Sequence, residues 1–147
     1  MKAAGKLRYV GITTSHGRRH RELEDVMKAH SLDFIQVTYN IVDREVEKRI
    51  LPLASEKGIA VIANRPFQQG ALIDGLEGEP MPEWAAEIGA KNWAQLLLKF
   101  IVSHPALSCA IPATSKVEHV RENMGVRYAP LPDAKMRERI AAYVEEI

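Results

Sequence analysis

The chain lacks the features that would tie it to a disulfide scaffold, a membrane or a nucleic acid. It has a single cysteine, Cys109, which can close no intrachain disulfide and build no thiolate metal site. A reducing, cytoplasmic setting is therefore expected. No apolar run approaches the roughly 18 residues of a membrane span; the longest, residues 59–63 and 96–102, are short, and Lys99 interrupts the second. Charge of one sign is missing too, since 20 basic and 19 acidic residues leave a net charge of +1. That gives no bulk attraction to nucleic acid or anionic lipid. Met1-Lys2-Ala3-Ala4-Gly5 carries no apolar stretch that could act as a signal peptide. The glycine fingerprint GxGxxG and the zinc motif HExxH are both absent. What remains is 147 residues, 46% hydrophobic and 27% charged, without low-complexity segments or linkers. This is the composition of one compact soluble domain spanning residues 1–147.

Four apolar runs read as strands: residues 7–13 (LRYVGIT), 33–39 (DFIQVTY), 59–64 (IAVIAN) and 108–112 (SCAIP). Three are nearly unbroken rather than alternating, as in strands covered on both faces. Helical periodicity lies between them. Leu23, Val26, Met27 and His30 fall at i, i+3, i+4 and i+7, and Val46, Ile50, Leu53 and Ala54 mark a helix expected to start near Asp43, a good N-cap residue. Trp93, Leu96, Leu97, Phe100 and Ile101 form the broadest apolar face, with Asn92, Gln95, Lys99 and Ser103 opposite. Met136, Ile140, Tyr143, Val144 and Ile147 mark a last helix after Leu131-Pro132-Asp133. The stretch 65–89, rich in glycine and proline, is long for a loop and holds a short helix over 82–88; such loops are commonly functional. Strand–helix alternation, four times, argues for a parallel sheet with right-handed crossovers. Two architectures fit: an open doubly wound sheet, weakened by the missing fingerprint, or half of a (β/α)8 barrel, whose full form takes roughly 250 residues.

In either architecture chemistry gathers at the carboxyl ends of the strands. Four clusters lie there: Thr13-Thr14-Ser15-His16, Gln36 with Tyr39-Asn40, Asn64-Arg65-Pro66-Phe67, and Ala113-Thr114-Ser115-Lys116. Amide, hydroxyl and cationic groups dominate, which suits holding a polar anion better than acid–base work. Ser115-Lys116-Val117-Glu118 has the form of a capping box, so a helix opens there. Its N-terminus suits a phosphate, with Thr114, Ser115 and Lys116 as further donors, or it is a plain cap with a solvated lysine. Arg65 reads either as a bidentate phosphate clamp or as one half of an ion pair. Gln36, inside an apolar strand, either faces a barrel mouth or is satisfied by its neighbours. His16 and His20 are four apart without a carboxylate or third ligand, so no metal site is expected. Cys109 reads as a small core residue.

Taken together, these stretches resemble the C-terminal half of an aldo-keto reductase, the NADP-dependent (β/α)8 barrel family. Residues 5–13 (GKLRYVGIT) are similar to the family's fifth strand, and residues 33–40 (DFIQVTYN) with Asp43-Arg44 to its DxxQxxYN sixth. Residues 58–63 with Pro66 and Gly70 are similar to the seventh strand and its turn. Leu98-Lys99-Phe100 through Pro105 resembles a family helix, and residues 110–115 (AIPATS) with 118–123 (EHVREN) resemble the aIPGtxxxeHvxEN motif. The match runs from about Gly5 to Asn123.

The resemblance implies an α/β fold: half of a TIM-type barrel with four parallel strand–helix units plus a C-terminal helix. It implies NADP(H) as cofactor. Thr13 and Gln36 stand where the family binds the nicotinamide carboxamide; Thr114, Ser115 and Lys116 cover the 2′-phosphate positions; Glu122 and Asn123 match residues that hold adenine. Thr14 departs from a usual asparagine, Asn64 falls where an aromatic often stacks on nicotinamide, and His119 replaces a common arginine. Arg65 and Phe67 offer compensation at the pyrophosphate. The family's catalytic Asp, Tyr, Lys and His belong to its second to fourth strands, outside the matched half, so no catalytic residue is assigned. Open strand edges and an uncovered inner face predict a homo-oligomer, most simply a dimer. Three functions follow as alternatives: a nucleotide-binding half-barrel without activity alone, a reductase subunit completed by another chain, or a structural or interaction protein with no ligand.

Overall fold

A computed structural model describes residues 1–14 and 18–147. Four parallel strands, β1 (Gly11–Thr13), β2 (Phe34–Thr38), β3 (Ala60–Asn64) and β4 (Cys109–Ala110), lie side by side in chain order. Helices α1 (His20–Ala29) and α2 (Ile50–Lys57) form the first two crossovers. The third crossover carries α3 (Ala71–Gly75), a 3-10 turn over Glu83–Ile88 and α4 (Trp93–Val102). Beyond β4 come α5 (Val117–Gly125) and α6 (Ala134–Glu146). Sequential parallel order without a switch point is the arrangement of half a (β/α)8 barrel, as the resemblance implied.

The alternation of side chains sorts the sheet into two unlike faces. Ile35, Val37, Val61 and Ala63 are fully buried beneath the helices, in one core with Met27, Leu51, Leu96, Leu97 and Ile140. The opposite face has no helical layer. There Phe34, Gln36 and Ile62 are half-buried, while Thr13, Ala60 and Cys109 are exposed. Gly11 belongs to this face because the Phe34 ring lies across it; a Cβ built at Gly11 would come within 2.4 Å of that ring. Cys109 is thus a surface residue and not the core residue its apolar setting suggested. It sits on an edge strand, on the face without a helical layer.

The outer strands are shorter than their apolar runs. Residues 7–10 and 111–112 lie outside the ladder, because each edge strand has a partner on one side alone. The helix expected from Asp43 starts at Ile50. Arg49, with φ −138°, separates it from a 3-10 turn over Glu45–Glu47, and the Asp43 carboxylate is engaged elsewhere. Helix α4 has no solvated face. Gln95 and Lys99 are buried, and the Lys99 ammonium donates to the carbonyls of Val126 (2.8 Å), Ala129 (3.3 Å) and Pro130 (3.3 Å). Burial pushes that amine below the usual lysine range. The long 65–89 stretch is mostly ordered turns and short helices rather than open loop.

Helix α6 opens as expected, with the Asp133 carboxylate accepting from the Met136 N–H at 2.8 Å. It is fastened by Arg137, which donates to the Phe100 carbonyl, to Ser103 Oγ (3.2 Å), to the Tyr39 hydroxyl (2.7 Å) and to Glu47 (3.1 Å). Tyr39 itself donates to Glu47. Burial, reinforced by that carboxylate, raises the Tyr39 phenol well above its ordinary range.

Candidate functional site

The carboxyl ends of β3 and β4 open into a cleft of about 840 Å³. Its floor and walls come from Arg65 and Phe67 after β3, Ile111, Ala113 and Thr114 after β4, the first residues of α4, and His119, Glu122 and Asn123 of α5. Six of the residues expected at the site therefore share one cavity: Arg65, Phe67, Thr114, His119, Glu122 and Asn123.

The β3 wall is held in an unusual backbone form. Arg65 (φ 52°), Gln68 (φ 47°), Gln69 (φ 61°) and Gly70 (φ 106°) all occupy the left-handed region. For non-glycine residues such conformations cost about 1–3 kcal/mol each and persist where surrounding structure over-determines them. Asn40 supplies that constraint from a fully buried position. Its Nδ2 donates to the Arg65 carbonyl (3.0 Å) and to Asp43 Oδ2 (2.9 Å), while Oδ1 accepts from the N–H groups of Val42 (3.1 Å) and Asp43 (2.8 Å). The same Asp43 oxygen accepts from Gln68 Nε2 at 2.9 Å. Asn40, Asp43 and Gln68 thus fix the loop that presents Arg65 to the cleft.

Across the cleft a strap over residues 76–79 is pinned by Trp93, whose indole N–H donates to the Glu79 carbonyl at 3.0 Å. The strap and α3 contribute Asp74, Glu77 and Glu79 to the lining. On the α5 side, Gln95 Nε2 donates to the Glu122 carbonyl at 3.0 Å and sets the height of that helix. The expected capping box does not form. Helix α5 begins after Lys116 with no side-chain cap; instead Thr114 Oγ1 accepts from the Lys116 N–H at 3.1 Å and lies 3.3 Å from His119 Nδ1. The Thr114 hydroxyl turns the backbone one residue earlier than a Ser115 cap would. Ser115 and Lys116 are exposed on that turn and do not line the cleft.

The remaining three residues form a second group on the uncovered sheet face. Thr13 is registered against Gln36, and Asn64 against Thr38. The Thr38 hydroxyl donates to Asn64 Oδ1 (2.9 Å), and Asn64 Nδ2 donates to the Thr14 carbonyl (3.2 Å). Asn64 is followed directly by Arg65, so the chain runs from this polar rim into the cleft without a break. Ser15 and His16 lie outside the described residues. Among those described, no group of three or more His, Cys, Asp or Glu side chains could hold a metal ion. No described helix is long and apolar enough to cross a membrane.

A second cavity, of about 460 Å³, lies between α1 and α2, away from the strand ends. Several of its charges are paired internally, Glu24 with Arg49 and Lys28, and Glu45 with Lys48. The strand-end cleft is lined by a cation, Arg65, a hydroxyl, Thr114, and two aromatic side chains, Phe67 and Trp93. A dinucleotide suits part of that lining: Arg65 and Thr114 match phosphate oxygens, and Phe67 and Trp93 offer apolar faces.

Sequence reasoning missed the strap carboxylates and Trp93 in the cleft, and it placed Asn40 at a strand end without its role in bracing the Arg65 loop. The glycines and prolines of 65–89 signalled a functional segment but not which of its side chains turn inward.

The profile of the Aldo/keto reductase family matches residues 1–143. Among curated relatives, the methylglyoxal reductase YeaE of Escherichia coli is 28% identical over 142 residues, covering 96% of this chain and 50% of its own. An NADH-specific methylglyoxal reductase of the same organism is 26% identical, covering 91% and 48%. Among solved structures, an aldo/keto reductase from Klebsiella pneumoniae in complex with NADP and acetate superimposes with a TM-score of 0.76 at 25% identity, covering 97% of this chain and 50% of its own. An aldo-keto reductase from Bacillus halodurans in its holo form gives 0.74 at 22% identity, covering 97% and 52%. The chain spans about half the length of the relatives it matches.

Proposed function

The chain belongs to the aldo/keto reductase family, and from that premise we propose that it is a nicotinamide-dinucleotide-binding half-barrel that takes NADP(H) and has no reductase activity alone. The observation that carries this reading is the convergence of Arg65, Phe67, Thr114, His119, Glu122 and Asn123 on one cleft at the strand ends. Arg65, aimed by Asn40, receives the pyrophosphate; Thr114 and His119 receive the phosphate at the adenosine end; Glu122 and Asn123 meet the base. Thr13, Gln36 and Asn64 hold the nicotinamide on the adjoining rim. The cofactor supplies a hydride, and the part of this chain is to bind and orient it. The single cysteine leaves no need for an oxidising compartment and fits a cytoplasmic setting.

The test is a nucleotide-fluorescence titration with NADPH, with NADH alongside and methylglyoxal as the carbonyl probe. Saturable binding, weakened about tenfold in Arg65→Ala by loss of a charge-assisted contact, and no methylglyoxal-dependent oxidation, is the expected outcome. No binding at millimolar nucleotide contradicts the cofactor role. Steady turnover by the chain alone contradicts the inactivity.

A further inference from the structure

We propose that two copies of this chain close on each other, uncovered sheet face to uncovered sheet face, into one eight-stranded barrel. The strand edges come first. β1 and β4 each pair on one side only, and all four strands run parallel. A two-fold axis along the barrel sets β4 of each copy beside β1 of the other, in parallel, so one operation satisfies both edges at both junctions. Four strands from each copy make eight, the number at which a parallel barrel's interior is filled by its own side chains.

The chemistry of the exposed face agrees. Gly11, Phe34, Gln36, Ala60, Ile62 and Cys109 stand on it, and none is charged in a chain whose charged fraction is 27%. A solvated sheet face is commonly polar and charged, whereas the interior of a parallel barrel is filled chiefly by apolar side chains. Phe34 and Ile62 are half-buried and are not among the described side chains packed on the helix-side core, so each keeps surface that a partner can cover. The helical layer also leaves apolar surface unpartnered. Helix α5, which follows β4 in the chain, exposes Val117, Val120 and Met124, at 61%, 48% and 55%, at the i, i+3, i+7 spacing of a buried stripe. Two copies with a net charge of +1 each do not repel appreciably. Closure brings both nucleotide clefts to one mouth, since both sets of strand ends point the same way. The proposal does not depend on a nucleotide being bound.

Cys109 is the only cysteine and lies on the face that closure buries, so its alkylation rate reports coverage directly. Sedimentation equilibrium is expected to give twice the 16.5 kDa chain mass, with Cys109 alkylation slowed about tenfold or more against the dilute monomer. Ile62→Lys places a charge at the barrel centre, and Val120→Glu places one on the already exposed α5 stripe, where the fold tolerates it. Both are expected to sediment as monomers, Ile62→Lys with fast Cys109 alkylation, and Val120→Glu with an unchanged circular dichroism spectrum. A monomer with fast-reacting Cys109 overturns the proposal. So does a dimer in which Cys109 still reacts quickly, because it must use another surface. A monomer that pairs one-to-one with the N-terminal four strands of a relative also overturns it, assigning the face to a different half.

Discussion

Asn40 decides the shape of the cleft more than any residue that lines it. Its amide serves four polar groups of two loops from a position without solvent. Asn40→Ala leaves the Arg65 carbonyl and two N–H groups unpaired and releases a left-handed arginine, so a loss of about 2–4 kcal/mol is expected in chemical denaturation. NADPH affinity falls with it, although Asn40 does not line the cleft; Asn40→Asp, which sets a buried carboxylate against Asp43 and the Arg65 carbonyl, is expected to lose at least as much stability. Glu24 provides a pH-dependent counterpart on α1. Arg49 and then Lys28, by hydrogen bonding to its carboxylate, hold it down to about 2, from an ordinary 4.5. A depressed carboxylate stabilises the fold above its unfolded value, and that contribution disappears as pH falls from about 4.5 through 2. The urea midpoint of the wild type should drop over this window more than that of Glu24→Gln; parallel curves would remove Glu24 from the acid response. Neither role is readable from sequence. An asparagine after a strand and a glutamate on a charged helix face look ordinary until residues 25 positions away are placed beside them.

At the scale of elements, apolar runs located all four strands, and their ends were misjudged where pairing rather than composition sets the length. β2 and β3, with neighbours on both sides, differ little from residues 33–39 and 59–64, whereas β4 keeps two residues of five. Polar residues on α4 misled for a related reason. Gln95 and Lys99 have partners in α5 and in the 126–130 segment, which no periodicity within α4 can reveal. Lys99→Met is expected to cost about 2–4 kcal/mol, since three carbonyls lose a charged donor in a buried site. The acidic strap makes a prediction about ligand charge. Glu77 and Glu79 face the same cleft as Arg65, so the double variant Glu77→Gln/Glu79→Gln should tighten NADPH severalfold, with the gain shrinking at high salt. An unchanged affinity across salt would place the cofactor phosphates away from the strap.

For the molecule as a whole, the fold spans about half of the family's barrel, with the central strands packed to zero exposure on the helix side at Ile35, Val37, Val61 and Ala63 and the opposite face without a helical layer. The family's strand order was legible because each motif sits on its own strand at its expected separation. The cleft was legible in part, because Arg65, Phe67 and the residues after β4 lie at strand ends, where ligands gather in any parallel α/β fold. Lys116 and Ser115 were placed there by a capping pattern that the Thr114 hydroxyl pre-empts. The most direct measurement is a map of backbone amide shifts as NADPH is added to the labelled chain. Binding in the strand-end cleft predicts perturbations concentrated in residues 65–79 and 113–123, with α1 and α2 silent. Shifts clustered around Glu24 and Arg49, or none at saturating nucleotide, would contradict it.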